Sequence, residues 1–296
     1  MKHYKNKRIT LKTILFFIVV LSVCTFSVFI FEKNSQDSLK STTSSIVSLS
    51  KTIISPSDSS LKKNWKDILT DQSSNVNIAV YNHKTKQTTF YTNDKSATYY
   101  TASIVKVSIL ANLLRQHEKN GTSLSSTELT LAQKMIENSD NDSATTLLNS
   151  YEGGYTAPDT LFNELNMNDS TMNSSSWGLT TTSSRDQLKL LNSLAYGKKS
   201  NLEDTDRNYV LGLMSNVESD QFWGISSGVA DNATIELKNG WLEYGNRWII
   251  NSIGHIKTSN SNYTIAILTN ENVTESYGID LVEKLSSTTA KALNAD

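Results

Sequence analysis

Ser103 and Lys106 stand three residues apart in the run Thr101-Ala102-Ser103-Ile104-Val105-Lys106-Val107-Ser108-Ile109-Leu110. The apolar residues continue through Ala111, Leu113 and Leu114, too far for a typical strand, so the run reads as the start of a buried helix. On a helix that spacing puts both side chains on one face, one turn apart. A serine hydroxyl is a weak nucleophile until a neighbouring base takes its proton. A lysine amine can be that base once burial or a second cation lowers its pKa. The helix N-terminus would favour negative charge developing at Ser103. Alone, Ser-x-x-Lys is a weak signal in a chain this rich in Ser and Lys. The apolar setting of Lys106 and two motifs downstream strengthen it.

The first of these is Ser139-Asp140-Asn141, at the expected end of a helix. Its residue types are good caps, which is the bland reading. The functional reading is a second hydroxyl to shuttle a proton, with an amide to hold a substrate carbonyl. The second motif is Lys238-Asn239-Gly240, after the apolar strand Thr234-Ile235-Glu236-Leu237. Blandly it is a strand end and a turn. Functionally it offers a cation and a bare backbone edge that a substrate can approach closely.

In this order, on helix start, helix end and strand end, the three motifs resemble the Ser-x-x-Lys, Ser-Asp-Asn and Lys-Thr-Gly set of the penicillin-recognising serine enzymes. Class A β-lactamases and the related serine hydrolases of that fold are most similar. The resemblance runs from about Leu61 to the C-terminus. It takes in Lys238-Asn239-Gly240-Trp241 and the following Trp248-Ile249-Ile250-Asn251-Ser252-Ile253-Gly254. It implies that Ser103 is the acylated nucleophile and that Lys106 takes its proton, directly or through water. Ser139 would pass a proton to the leaving nitrogen, and Asn141 would bind the substrate amide. Lys238 would hold the substrate carboxylate and depress the pKa of Lys106, with Asn239 and Gly240 completing the substrate-binding edge. The backbone N–H groups of Ser103 and Trp241 would form the oxyanion hole. No metal or organic cofactor is implied.

Two departures from the family pattern matter. Asn239 stands where a threonine or serine is usual, which removes a hydroxyl donor from the carboxylate site; an amide can still donate. Class A enzymes also carry a glutamate in the loop after the Asn141 region, where it activates the deacylating water. Here the loop from Met167 to Gly178 has no glutamate, Glu164 belongs to the preceding helix, and Asp169 is the loop's only acid. Acylation is thus better supported than hydrolytic turnover.

The elements that must position these residues are legible from periodicity. Leu61, Trp65, Ile68 and Leu69 form a helical stripe; residues 77–82 and 88–92 read as a hairpin. After the Ser103 helix, Ser125 and Glu128 form a capping box for a helix carrying Leu131, Met135 and Ile136 inward. Pro158 opens a short helix with Leu161, Phe162 and Leu165. Helices fit 185–194 and 207–214, strands fit 233–237, 248–256 and 263–268, and a last helix fits 277–293. Strands, a helical block, strands and a helix predict an α+β fold: an antiparallel sheet from both chain ends with an inserted helical subdomain, as in β-lactamases and transpeptidases.

Ahead of this domain, taken as 61–296, lie a basic tail (1–12), an uncharged apolar stretch (13–31) and a Ser/Thr-rich segment (32–60). Thr13 to Phe31 is long enough to span a bilayer. Lys2, Lys5, Lys7, Arg8 and Lys12 before it place the N-terminus in the cytoplasm and the domain outside. No clear small-x-small cleavage site follows, which favours a retained single-pass anchor over secretion after cleavage. The Ser/Thr-rich segment reads as a tether. With those five set aside, 23 of the 28 Lys and Arg face 29 acidic residues, an acidic body that argues against a nucleic-acid partner. The single cysteine, Cys24, excludes a disulfide framework, and the four histidines show no metal-ligand spacing.

Rival signals are weak. Gly224-Ile225-Ser226-Ser227-Gly228 matches Gly-x-Ser-x-Gly but lacks a strand before it and a helix after it. His255 falls inside an expected strand and reads as half-exposed. Trp223, Trp241 and Trp248 could line the cleft or the core. The expectation is a monomeric, membrane-anchored, extracytoplasmic serine hydrolase acting on β-lactams or related cell-wall amides through acyl-Ser103. A peptidoglycan D-alanyl peptidase or esterase-like hydrolase with slow β-lactam turnover is the alternative that the missing glutamate favours. A catalytically silent cell-wall-binding module is the third reading. The intact Ser103, Lys106, Ser139 and Lys238 count against it.

Overall fold

The computed structural model describes residues 56–197 and 202–296. The basic tail, the apolar stretch 13–31 and nearly all of the tether lie outside these residues. No helix among the described residues is long and apolar enough to cross a membrane.

Helix α1 (Pro56–Leu69) buries Leu61, Trp65 and Leu69, the stripe expected from their spacing. Strands β1 (Asn75–Asn82) and β2 (Gln87–Thr92) form a hairpin, followed by the short β3 (Tyr99–Tyr100). The helical block then comprises α2 (Val105–Asn120), α3 (Ser126–Glu137), α4 (Asn141–Leu147) and α5 (Asp159–Glu164). The two-residue β4 (Thr181–Thr182) pairs with β3, and α6 (Ser184–Tyr196) and α7 (Asp204–Met214) complete the block. Three long strands return the chain to the sheet: β5 (Thr234–Tyr244), β6 (Arg247–Lys257) and β7 (Asn262–Asn272); helix α8 (Glu275–Ala292) ends the fold.

The main sheet has the order β2-β1-β7-β6-β5, all antiparallel. Strands from the two chain ends meet where β1 pairs with β7, with Ile78 opposite Ile267 and Ala79 opposite Ala266. Alternate residues then serve two cores. Ile78, Val80, Ile265 and Ile267 pack with Trp65 of α1 and Leu281, Val282 and Leu285 of α8. Ala79, Tyr81, Ala266 and Leu268 pack with the helical block around Ile109, Leu113, Met135 and Leu190. Trp65 Nε1 donates to Thr289 Oγ1 at 3.0 Å, so the buried indole costs no orphaned N–H.

The local start and stop signals hold. Ser125 and Glu128 form the capping box of α3, and Gly121 ends α2 in a left-handed conformation, φ 64°. The short α4, β3 and β4 have no counterpart in the sequence pattern, and β7 runs to Asn272, past the expected end at 268. The sequence pattern ends the fifth strand at Leu237, but β5 runs on to Tyr244. Lys238, Asn239 and Gly240 pair with Ile253, Ser252 and Asn251 of β6 and are buried. Lys238 is tolerated mid-strand because its amine reaches Ser139, and Asn239 because its Nδ2 donates to loop carbonyls on the opposite face.

Candidate active site

A 3-10 turn, Ala102–Ile104, runs directly into α2, placing Ser103 at the helix start and Lys106 in its first turn. Ala102 adopts φ 47°, which costs a non-glycine residue about 1–3 kcal/mol and must be held in place by its surroundings. Three contacts do so. Asn251, buried in β6, donates through Nδ2 to the carbonyls of Tyr100 and Thr101 at 2.9 and 3.0 Å. The Thr101 N–H donates to the Thr180 carbonyl at 2.8 Å. Gly240 of β5 lies against the turn so closely that a Cβ there would stand 2.7 Å from the Ser103 nitrogen.

The Ser139-Asp140-Asn141 triplet joins α3 to α4. Asp140 caps α4, its Oδ1 accepting from the Ser143 N–H at 2.7 Å. Its two neighbours face Lys106 instead. The capping and functional readings of the triplet are thus divided among its residues. Ser139 takes the left-handed φ of 55° that aims both its carbonyl and its hydroxyl at the lysine.

Lys106 Nζ lies 3.1 Å from Ser103 Oγ, 3.1 Å from Ser139 Oγ, 2.5 Å from the Ser139 carbonyl and 2.7 Å from Asn141 Oδ1. The side chain is fully buried, and the Trp177 ring covers it, its centroid 5.0 Å from Nζ. Burial pushes its pKa down to about 7, with Asp140 pulling the other way. As a neutral amine it can accept the Ser103 proton through its lone pair while its N–H groups bond Ser139 and Asn141. Lys238, also fully buried, donates to Ser139 Oγ at 3.0 Å and to the Asn239 carbonyl at 3.1 Å. Burial first, and then the Lys106 charge, hold its pKa well below the usual lysine range. Ser139 Oγ therefore bridges two lysines, of which Lys106 disfavours protonation of Lys238; the lowering of Lys106, expected from Lys238, comes from burial instead.

The structure brings Ser103, Lys106, Ser139, Asn141 and Lys238 together, with Trp241 on the wall of the cleft beside Ser103. It does not bring the side chain of Asn239. The Asn239 Nδ2 donates to the carbonyls of Gln221 and Trp223, at 2.7 and 3.1 Å. Strand alternation sends Lys238 and Asn239 to opposite faces of β5, so this amide is not available to a substrate carboxylate. Gly240 likewise serves the Ser103 turn that packs on it.

The loop acids lie elsewhere. Glu164 ends α5 and pairs with Arg115 and Lys119. Asp169 accepts from Ser183 Oγ at 2.8 Å, near the start of α6. The cleft, about 290 Å³, is walled by Tyr155, Trp177, Trp241 and Leu242, with Asn141 and Ser176 as polar points. Trp223 packs edge-on against Trp241, and Trp248 packs on the α1–α8 core. Of the rival signals, Ser226 hydrogen-bonds the Phe222 carbonyl at 3.3 Å, and His255 is engaged by Glu236 and Asn262. His255 is buried, not half-exposed. Sequence reading passed over Asn251 and Trp177. A lone amide within Ile249-Ile250-Asn251-Ser252-Ile253 was the available sign for the first; Trp177 had none.

Comparison with known proteins agrees with this arrangement. Residues 60–129 and 124–293 match the model of the beta-lactamase enzyme family. The structure is similar to a class A β-lactamase from Bacteroides cellulosilyticus: TM-score 0.70, 14% identity, covering 81% of this chain and 99% of that one. It is similar to the TLA-1 extended-spectrum β-lactamase at TM-score 0.71 and 15% identity, covering 80% and 99%. PBP-A gives TM-score 0.68 and 18% identity, covering 79% and 96%. Among curated proteins none matches. With the family model spanning most of the chain and a buried lysine against a serine at the head of α2, the chain belongs to the beta-lactamase enzyme family and is a serine hydrolase of that fold.

Proposed function

We propose that the chain forms an acyl-enzyme on Ser103 from β-lactams and related cell-wall amides or esters. The observation that carries this reading is Lys106, fully buried with Nζ 3.1 Å from Ser103 Oγ. In the first step the amine takes the hydroxyl proton as the Oγ–carbonyl carbon bond forms. The N–H groups of Ser103 and Trp241 donate to the developing oxyanion. Collapse breaks the bond to the leaving nitrogen or oxygen. Ser139 hands that atom its proton and is reprotonated by the Lys106 ammonium 3.1 Å away, leaving the amine neutral. Asn141 steadies the substrate amide, and Lys238 keeps Ser139 oriented. Water then cleaves the acyl-serine ester.

Among the described residues none that lines the cleft is acidic, so that last step has no carboxylate base there. The peptidase- or esterase-like reading with slow β-lactam turnover is therefore favoured over an efficient β-lactamase. A variant of PBP-A has been solved as an acyl-enzyme complex with penicillin G. For location, the uncharged stretch 13–31 behind a basic tail supports a single-pass anchor with the domain outside the cytoplasm. Protease digestion of intact cells, which should remove the domain, tests it.

The chemistry is tested by intact mass of the full chain after addition of benzylpenicillin, beside Ser103→Ala. A lasting adduct on the wild type alone supports the reading. Penicillin loss with only a fleeting adduct would make the protein an efficient β-lactamase. An adduct that persists on Ser103→Ala would remove Ser103 from its role.

A further inference from the structure

A carboxylate beside the scissile bond needs a cation or a set of donors that it can reach. Burying it without them costs several kcal/mol. This cleft offers few. Among the described residues none that lines it carries a charge. The two lysines of the site are fully buried, and their amines are engaged by Ser103, Ser139, Asn141 and the Asn239 carbonyl.

Asn239 points away at both ends of its amide. Nδ2 is bonded to two loop carbonyls, and a Cβ built on Gly224 would lie 3.3 Å from Oδ1. Arg247, on the hairpin that joins β5 to β6, sits opposite Tyr244 and reaches Glu271 at 3.9 Å. What the cleft does present is ring and alkyl surface: Tyr155, Trp177, Trp241 and Leu242, with Trp223 extending the wall behind Trp241.

Resting on the acyl-Ser103 reading above, we infer that the preferred acyl donor is uncharged next to the scissile bond. It is a neutral ester or amide with an apolar or aromatic acyl group on the Tyr155–Trp177–Trp241 wall. Ring surface of this kind binds flat apolar groups, and the hydroxyl and amide points of Ser176 and Asn141 orient the carbonyl. Acylation releases a neutral alcohol or amine that carries the proton delivered through Ser139. β-Lactams, which carry a carboxylate, then acylate Ser103 more slowly than neutral donors, though still through the same serine.

The test uses two matched esters, O-phenylacetyl glycolamide and O-phenylacetyl glycolate. They transfer the same acyl group and differ only in a leaving-group amide or carboxylate. The full-length protein is used, kcat/KM is measured for each ester, and each value is divided by the ester's own hydroxide-catalysed rate. The expected result is a preference for the glycolamide ester of about 10-fold or more. Leu242→Arg, which puts a cation on the wall, should move the ratio toward the glycolate ester by about the same factor. Equal reactivity, a preference for the glycolate, or a ratio unmoved by Leu242→Arg would overturn the proposal. Mass analysis separates this failure from the broader one. If Ser103 is acylated but the glycolate is preferred, the substrate class is wrong and the nucleophile stands. If neither ester nor benzylpenicillin modifies Ser103, the acyl-Ser103 reading falls and takes the proposal with it.

Discussion

Gly240 on β5 faces the backbone nitrogen of Ser103 so closely that a Cβ would come within 2.7 Å of it. The strand edge and the Ser103 turn are thus one packed unit. Gly240→Ala should force the two apart, because the groups it meets are backbone and cannot swing away. A cost of about 1–3 kcal/mol in stability is expected, with a much larger proportional loss in the rate of Ser103 acylation. Urea unfolding and acylation kinetics on the same sample check this. Unchanged acylation would mean that the turn does not depend on the strand.

The pKa of Lys106, pushed down to about 7 by burial, sets the pH profile. The protonated amine cannot accept the Ser103 proton, so acylation should be slow below pH 6 and rise through an apparent pKa near 7 as the amine deprotonates. Lys106→Arg keeps a cation but cannot lose its proton near neutrality, so it should abolish acylation at every pH tested. A flat profile between pH 5.5 and 8.5 would exclude Lys106 as the base.

Asn251 holds the carbonyls of Tyr100 and Thr101 just before the reactive turn. Asn251→Leu fits the apolar strand but removes the amide that donates to both carbonyls, leaving Thr101 only the Ile104 N–H, a loss of about 1–3 kcal/mol. Acylation should fall while Ser103 remains the labelled residue. A fully stable and fully active Asn251→Leu would show that the remaining bond from Thr101 to Thr180 suffices.

Glu152 is a buried acid in the helical block. Its Oε2 accepts from Asn112 Nδ2 at 2.5 Å, and its Oε1 has no hydrogen-bond partner. Burial raises its pKa to about 8. In the unfolded chain it ionises at its ordinary value, so between about pH 4.5 and 8 the folded state holds the extra proton. Stability contributed by this group must fall as pH rises through that window. Glu152→Gln should remove one proton's worth of that slope and leave the protein more stable than the wild type at pH 8. Parallel denaturation curves at pH 5 and 8 decide it.

Much of the site was legible before the fold was seen, and the parts that were not have a common cause. Ser103 and Lys106 share a helix, and three-residue spacing brings side chains together whatever surrounds them. Ser125 and Glu128 make their box within one turn of each other. The alternation that paired the strands of both chain ends is likewise a property of the backbone. Asn239 misled because its neighbours in sequence do not determine which face it takes; β5 continuing past Leu237 does.

By itself the sequence determined the longer helices, the presence of the five main strands, the order of the three motifs and the one-turn pairing of serine and lysine, since each follows from backbone periods and capping over a few residues. Only the tertiary structure decided that Ser139 bridges Lys106 and Lys238, residues 33 and 99 positions from it. It also decided that Asn251 straps the turn, that Trp177 covers the amine, and that the cleft's lining among the described residues is uncharged. Those contacts are set by sheet register and by the packing of the helical block on the sheet, which no local pattern encodes.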